Sequence, residues 1–142
     1  MKKGIVIAVL CLISILIYFL YNPLEKEKQT ICLMYVAFAC ECANWVPTDY
    51  VQYLDNPSLA PSDYSIFIEP AYTNLVLPDT LGYNGDIICF TGQFYQQKGF
   101  PKGYKSYQYP EKARVFRYTD YKIISSNYQI IQKNIKEPNN SL

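Results

Sequence analysis

Two cysteines separated by one residue, Cys40 and Cys42, are the side chains with the most chemical potential in this sequence. Cys32 precedes them and Cys89 follows far downstream. In an extended strand, the Cβ atoms of Cys40 and Cys42 would lie roughly 6 to 7 Å apart, whereas a disulfide needs about 3.8 Å. Because pairing with each other requires a sharp bend, we expect Cys40 or Cys42 to bond to Cys89 across strands.

Three states remain open for Cys40, Cys42 and Cys89. The first is a structural disulfide, which an oxidising compartment outside the cytoplasm would permit. The second is a set of buried free thiols. The third is a redox-active pair or a thiolate site for a soft ion such as Cu(I), for which the chain offers few further ligands. We therefore predict a disulfide or thiol site at these residues and no metal site.

The chain contains no histidine, which removes the commonest general base and the usual partner of serine and cysteine nucleophiles. Its paired glycines, Gly82 with Gly85 and Gly99 with Gly103, lack the strand, the spacing and the helix start of a phosphate-binding loop. We predict a protein that is not an enzyme, with no catalytic residues and no cofactor.

Aromatic and basic residues are interleaved between residues 94 and 121. On a barrel surface, such rings could stack on a glycan, a peptide or single-stranded nucleic acid. The predicted ligand face consists of Tyr95, Phe100, Tyr104, Tyr107, Arg114 and Arg117. In the alternative, the rings pack the barrel and the arginine stems cover them. A formal net charge of +1 and an exported location argue against nucleic acid as the partner.

The N-terminus predicts a membrane anchor. The 18 residues from Gly4 to Tyr21 carry no charge, and a helix of this length extends over about 27 Å, close to the ~30 Å hydrocarbon core of a bilayer. The stretch is longer than the core of a signal peptide and ends without a small-x-small cleavage site. Lys2 and Lys3 place the N-terminus in the cytoplasm by the positive-inside bias, so the remaining chain is expected to be periplasmic or extracellular.

Cys11 offers an alternative anchor, in which the protein is a lipoprotein acylated at this cysteine. Lipoproteins usually carry a small residue before the acylated cysteine, whereas Leu10 is bulky. An uncleaved single-pass helix is therefore the preferred prediction.

Four segments follow from the composition along the chain. Residues 1–21 are the anchor, residues 22–30 a charged stalk leading away from the membrane, residues 31–136 the folded domain, and residues 137–142 a flexible tail. One domain is the expectation for a chain of this length.

The folded domain is predicted to be mostly β. Its expected strands cover residues 31–46, 65–69, 73–77, 86–95 and 113–124, with a last strand or short helix at residues 128–136. The first of these strands is expected to bend near residues 40–44. Gly92, inside the fourth of these segments, indicates a bulge or a close backbone approach. Uneven strands joined by long loops favour a small OB-like β-barrel, because closure removes exposed edges, and a small β-sandwich is the alternative.

Four sequence blocks stand out in the domain: ACECANWV (residues 39–46), FIEPA (residues 67–71), TGQFYQQKGFPKGY (residues 91–104) and PEKARVFRYTDYKII (residues 110–124). Together they resemble blocks of small exported or lipid-anchored bacterial proteins with an OB-like domain. The resemblance covers about half of the domain and implies the fold and the exported location. It transfers no catalytic residue, because that family has no assigned activity.

We therefore expect a membrane-anchored, non-enzymatic envelope protein whose barrel binds a partner protein or an envelope ligand through its long loops. The alternative is a thiol-based metal-binding or redox protein that uses Cys40, Cys42 and Cys89. The two hypotheses differ in the state that they require of the cysteines.

Overall fold

A computed structural model describes residues 2–54, 56, 58–78, 81–82 and 85–124. The helices are α1 (Lys2–Leu20) and the single-turn α2 (Pro61–Tyr64), and the strands are β1 (Gln29–Tyr35), β2 (Trp45–Pro47), β3 (Ile66–Pro70), β4 (Ile87–Phe94) and β5 (Arg114–Ile124). Short 3-10 helices at Thr48–Tyr53 and Thr73–Leu75 lie between strands. The element predicted at residues 128–136 and the tail at residues 137–142 lie outside the described residues.

The five strands form a closed barrel in the order β1-β2-β3-β5-β4, and β4 returns to pair with β1. Neighbouring strands are antiparallel except for β3 and β5, which run parallel. The prediction of a mostly β barrel is confirmed. The β-sandwich alternative is wrong, because one sheet closes on itself.

The barrel interior is filled by alternate side chains of the strands. Leu33 of β1, Ile88 and Phe90 of β4, and Phe116 and Tyr118 of β5 are almost completely buried in one cluster. Successive side chains of a strand point to opposite faces, so residues two apart meet in the same interior. This cluster is the core that holds the wall of the barrel together.

Tyr118 brings a polar group into this core and satisfies it. Its hydroxyl donates a hydrogen bond to the carbonyl of Leu75 at 2.7 Å. Burial raises the pKa of Tyr118 to about 12, because the phenolate would be poorly solvated there. Tyr118 is therefore held in its neutral form across the physiological range.

Gly92 of β4 lies at a β-bulge and a close backbone approach, as the sequence predicted. The register between β4 and β5 shifts between Thr91 and Gly92, and the extra residue of the bulge is Thr119 of β5. A Cβ added to Gly92 would clash with the backbone carbonyl of Arg117 on β5. Glycine lets the two backbones approach at this bulge, which increases the local twist and helps the sheet to close.

α1 covers most of the segment predicted as an anchor. Of the large apolar side chains that the structure describes on α1, Ile5, Ile7 and Leu12 are among the most exposed. Within the described part of the chain, no helix combines the length and the apolar character needed to cross a membrane. The predicted transmembrane span is thus not supported by the structure.

Residues 22–25, the first part of the predicted stalk, lie against the barrel and do not lead away from it. The side chain of Asn22 accepts a hydrogen bond from the backbone N–H of Gln97 and donates one to its carbonyl, both at 3.0 Å. The backbone N–H of Glu25 donates to the carbonyl of Phe94 at 2.8 Å. Contacts with the barrel therefore begin two residues after the end of α1.

Two predicted strands differ from the structure. Residues 31–46 form β1 and β2 with a connection between them, residues 36–44, which we call the β1–β2 loop. Residues 73–77 contain a 3-10 turn and no strand. A closed barrel leaves no edge for another strand, and this segment packs Leu75 and Leu77 against the barrel core.

The last two strands that the structure describes, β4 and β5, form an antiparallel hairpin. β4 and β5 pair antiparallel over eight residue pairs, from Ile87↔Ile124 to Phe94↔Phe116. Residues 95–113 connect them, and we call this connection the β4–β5 loop.

Candidate functional site

One disulfide belongs to the barrel wall. Cys32 of β1 and Cys89 of β4 are direct partners in the antiparallel register, with Cα atoms 3.9 Å apart. The predicted bond from Cys89 to Cys40 or Cys42 is therefore wrong. Barrel closure brings β1 beside β4, and that pairing is long-range information that the spacing of the cysteines does not contain.

Cys40 and Cys42 form the second disulfide, with Cα atoms 5.2 Å apart. The chain bends over residues 39–42, so the two side chains do not lie along a strand and the argument from strand spacing fails. The predicted joint site of Cys40, Cys42 and Cys89 is not assembled, because Cys89 is bonded to Cys32. Among the described residues, no group of three or more potential metal ligands is close enough to hold an ion.

Glu41, the residue between these two cysteines, holds the β4–β5 loop with its carboxylate. Its Oε2 accepts hydrogen bonds from the hydroxyl of Ser106 (2.5 Å) and from the backbone N–H groups of Tyr107 (2.7 Å) and Gln108 (3.3 Å). These donors, Ser106 first, stabilise the charged form and lower the pKa of Glu41. The carboxylate thus satisfies a run of loop N–H groups that would otherwise face solvent.

The backbone of Glu41 contacts the same loop. Its N–H donates to the side-chain Oε1 of Gln108 at 2.8 Å, and its carbonyl accepts a hydrogen bond from the hydroxyl of Tyr104. The Cys40–Cys42 disulfide closes a small ring through Glu41, which restricts the backbone at this residue. The β1–β2 loop and the β4–β5 loop are therefore joined where the second disulfide lies.

A cleft of about 290 Å³ opens beside this disulfide. It is lined by Cys40, Cys42, Ala60, Pro61, Ser62, Pro110 and Glu111. The hydroxyl of Ser62 donates to Glu111, which satisfies the two polar side chains and leaves Ala60, the prolines and the disulfide as mainly apolar walls. A second cavity of about 380 Å³ shares α2 as a wall and is lined in part by Tyr50 and Tyr53.

Two tyrosines of the β4–β5 loop project into solvent next to the cleft. The exposed fractions are 93% for Tyr107 and 92% for Tyr109. Glu41 holds the backbone N–H of Tyr107, and Tyr109 directly precedes Pro110 of the cleft wall. Tyr109 has a φ of 49°, in the left-handed region that tyrosine seldom adopts. The sequence prediction missed Tyr109, and its only signal was the Tyr-x-Tyr-Pro spacing.

Three aromatic residues of the predicted ligand face take part in packing. Phe100 stacks on Tyr104 with ring centroids 5.0 Å apart, and both rings contact Phe67 of β3. Tyr95 is half-buried and donates from its hydroxyl to Glu69 at 2.8 Å. For these residues the packing alternative applies, and Tyr107 is the predicted ring that faces solvent.

The two arginines of the predicted ligand face make local ion pairs. Arg114 pairs with Glu25 at 3.0 Å and lies over the ring of Phe94, 3.6 Å from its centroid. The Nε of Arg117 lies 3.8 Å from Oε1 of Glu69. The guanidinium groups therefore link β5 to the segment before β1 and to β3.

Glu69 is a buried carboxylate, 8% exposed, at the end of β3. Its Oε1 accepts the hydrogen bond from Tyr95, and its Oε2 accepts one from the backbone N–H of Lys102 at 2.8 Å. Burial, and then this contact with Glu69, raise the pKa of Tyr95. The contacts of Glu69 fix the first half of the β4–β5 loop, as those of Glu41 fix the second half.

The site that emerges consists of the cleft, the Cys40–Cys42 disulfide, and Tyr107 and Tyr109 on the held β4–β5 loop. The resemblance to exported bacterial proteins stays a prediction. No family model, no curated protein and no solved structure matches this chain.

Proposed function

We propose that this chain is a non-enzymatic binding protein of the cell envelope, which captures a partner protein at the cleft and at Tyr107 and Tyr109. The observation that carries the proposal is that both rings are more than nine-tenths exposed on a loop whose backbone is held in place by Glu41. Exposed rings contribute nothing to the core of the barrel. Their apolar surface gains free energy only when a partner covers it.

Two such rings can supply a useful share of a binding energy. Tyrosine is enriched among the residues that dominate protein interfaces, and burying a large apolar side chain contributes about 1.5 to 3 kcal/mol. Because Glu41 already orders the loop, less conformational entropy is lost when a partner binds. The adjacent cleft, with walls from Pro61 and Pro110, offers a pocket for an apolar side chain of the partner.

The topology supports the same surface. The strand order and the parallel pair of β3 and β5 are compatible with an OB-like barrel. Barrels of that class bind ligands with the loops that follow their first and fourth strands. In this chain those are the β1–β2 loop and the β4–β5 loop, which Glu41 joins.

The proposed location is outside the cytoplasm and at a membrane. Two disulfides favour an oxidising compartment. The exposed apolar side chains of α1 supply the proposed attachment to lipid. Acylation at Cys11 is the alternative attachment, and Cys11 is an exposed free cysteine.

Site-specific photocrosslinking in the native cell tests the binding surface. A benzophenone amino acid is placed at Tyr107, at Tyr109 and, as a matched control, at Tyr72, which is 62% exposed in the connection after β3, outside the β1–β2 and β4–β5 loops. We expect one protein adduct common to positions 107 and 109 and absent at position 72.

The captured protein, once identified and purified, must also bind the purified full chain. Tyr107→Ala together with Tyr109→Ala should weaken this binding at least tenfold, equivalent to about 1.4 kcal/mol, whereas Tyr72→Ala should leave Kd unchanged. Equal Kd values for the double variant and the wild type would disprove the proposed surface. A glycan in the adduct would replace the protein partner by an envelope ligand.

Attachment to the membrane has a separate test. The full-length chain should remain in membranes after washing with high salt and alkaline carbonate. An intact mass that begins at Met1 would support α1, and a chain that begins at an acylated Cys11 would support the lipoprotein. Recovery of the protein in the soluble fraction would disprove both attachments.

A further inference from the structure

The two disulfides differ in their access to solvent. Cys40 is exposed, Cys42 is half-buried, and both line the open cleft of about 290 Å³. Cys89 is 9% exposed and lies with Cys32 between paired strands of the barrel wall. A thiolate from another molecule can therefore approach the Cys40–Cys42 bond through the cleft. The Cys32–Cys89 bond offers less access, because Cys32 is half-buried and Cys89 is nearly buried.

The fold does not depend on the Cys40–Cys42 bond. Its sequence separation is 2, against 57 for Cys32–Cys89, so it removes little freedom from the unfolded chain. The ends of the β1–β2 loop are held independently, because Met34 pairs with Val46 and the N–H of Val36 donates to the carbonyl of Asn44 at 2.8 Å. Breaking the bond would leave the β1–β2 pairing in place.

We propose that Cys40–Cys42 is a thiol–disulfide exchange site whose partner is a protein dithiol. A thiolate of the partner attacks Sγ of Cys40, the more exposed sulfur, which forms a mixed disulfide and releases Cys42 as a thiolate. The partner's second thiolate then attacks the partner sulfur that is bonded to Cys40. This step forms the internal disulfide of the partner and releases Cys40 as a thiolate. Two electrons and two protons pass to this chain, and the partner dithiol becomes a disulfide.

Reduction also changes the loop that carries the exposed tyrosines. Opening the ring frees the backbone at Glu41, whose carboxylate, N–H and carbonyl all hydrogen-bond to residues 104–108. The reduced form therefore holds Tyr107 less firmly than the oxidised form. This consequence for binding rests on the proposed function, whereas the exchange reaction does not.

Selective reduction is the first test. The purified full-length chain, in a Cys11→Ser background, is equilibrated with increasing dithiothreitol, quenched in acid, alkylated and analysed by mass spectrometry. We expect Cys40 and Cys42 to be alkylated at a dithiol concentration at least tenfold below that needed for Cys32 and Cys89, with an unchanged circular dichroism spectrum. Reduction of both disulfides at one concentration, together with loss of structure, would overturn the proposal.

Trapping identifies the attacked sulfur. In the same background, the free Cys40 of a Cys42→Ser variant is first converted to a mixed disulfide with an aromatic thiol. The single thiolate of a thioredoxin-type protein that lacks its second cysteine then attacks Cys40, releases the aromatic thiolate and stays bound as a stable mixed disulfide. The matched variant Cys40→Ser presents the less exposed sulfur. We expect several-fold more trapped complex with Cys42→Ser, and equal or no trapping in both variants would contradict attack at Cys40.

Amide hydrogen exchange tests the link to the loop. After selective reduction, the amides of Tyr107 and Gln108 should exchange at least tenfold faster, while that of Phe90 in the barrel core should not change. The double variant Cys40→Ser/Cys42→Ser should show the same pattern without reductant. Unchanged amide hydrogen exchange at residues 107 and 108 would refute the link between the disulfide and the β4–β5 loop. The proposed thiol–disulfide reaction would still be tested by the alkylation result, so the two failures are distinguishable.

Discussion

The barrel wall and the joined loops each contain one disulfide, and the two bonds have different consequences. In the wall, Cys32–Cys89 links strands that are already paired and closes an interval of 57 residues, for which the chain-entropy model gives about 4 kcal/mol. In the loops, Cys40–Cys42 has a separation of 2, for which the same model gives about 1.5 kcal/mol. The wall bond stabilises the fold, and the loop bond sets the conformation of Glu41.

The largest difference between the two regions is expected from glycine substitutions. Gly92→Ala places a methyl group against the backbone of Arg117 and should destabilise the domain by about 3 kcal/mol or more. Gly99→Ala is the matched control in the β4–β5 loop, where the nearest atom, Nδ2 of Asn22, lies 4.0 Å from the added carbon. Its effect should stay within about 0.5 kcal/mol. Urea unfolding of both variants measures the difference, and similar midpoints would show that the wall is no less tolerant than the loop.

Removal of each disulfide tests the comparison directly. Cys32→Ala with Cys89→Ala should lower the free energy of unfolding by about 2 to 4 kcal/mol and Tm by roughly 8 to 25 °C, because residual structure in the unfolded chain reduces the entropic value. Cys40→Ala with Cys42→Ala should cost about 1 kcal/mol or less. Calorimetry of the two double variants provides the measurement. A larger loss of unfolding free energy for the Cys40/Cys42 variant would show that the loop bond stabilises the fold more than the wall bond does.

Alkaline titration probes the wall through Tyr118. The pKa of this group is raised from 10.0 to about 12, so the folded state keeps its proton to higher pH than the unfolded state. The stability it contributes is complete below pH 10 and is lost as the pH rises towards 12. Between pH 9 and pH 11 we expect wild type to lose about 1 kcal/mol more than Tyr118→Phe. Tyr72→Phe, which changes an exposed ring, should follow the wild type, and parallel profiles for Tyr118→Phe and wild type would contradict the assignment.

Acid titration probes the loops through Glu41 and should have the smallest effect on global unfolding. The pKa of this carboxyl lies below its ordinary value of 4.5, so its contribution is present above pH 4.5 and is lost as the pH falls through the lowered value. We expect the amide resonances of Tyr107 and Gln108 to shift in that acidic window without a measurable change in Tm near neutral pH. Glu41→Gln should abolish the inflection, and Glu27→Gln, an exposed control before β1, should retain it. An inflection that survives Glu41→Gln would assign the shift to another group.

Local patterns predicted much of the barrel. Alternating apolar residues indicated three of the five strands closely, and the isolated glycine in β4 indicated the close approach to β5 at the bulge. The partner of Cys89 depends on β1 lying beside β4, which is a property of the closed barrel. The bond between Cys40 and Cys42 depends on how sharply the chain bends at residues 39–42. The sequence predicted a bend near residues 40–44 but not its sharpness, because the run contains no proline or glycine.

The candidate site was less predictable for a similar reason. Tyr95, Phe100 and Tyr104 lie in the same aromatic and basic stretch as Tyr107, yet of these four only Tyr107 is almost fully exposed. Which rings pack is decided by Phe67 and by the carboxylates Glu41 and Glu69, which come from distant parts of the chain. Exposure on a loop is set by these long-range contacts and leaves no local pattern.

The attachment of residues 22–25 to the barrel has a mechanical consequence. Only Tyr21 separates the end of α1 from Asn22, whose side chain is already bonded to Gln97. A flexible linker would give the barrel a search radius that grows with the square root of its length. Here the connection is a single residue, so the barrel stays close to the end of α1, and tension applied to α1 reaches the segment around Gln97 directly. Wherever α1 is fixed, the barrel is held near that point.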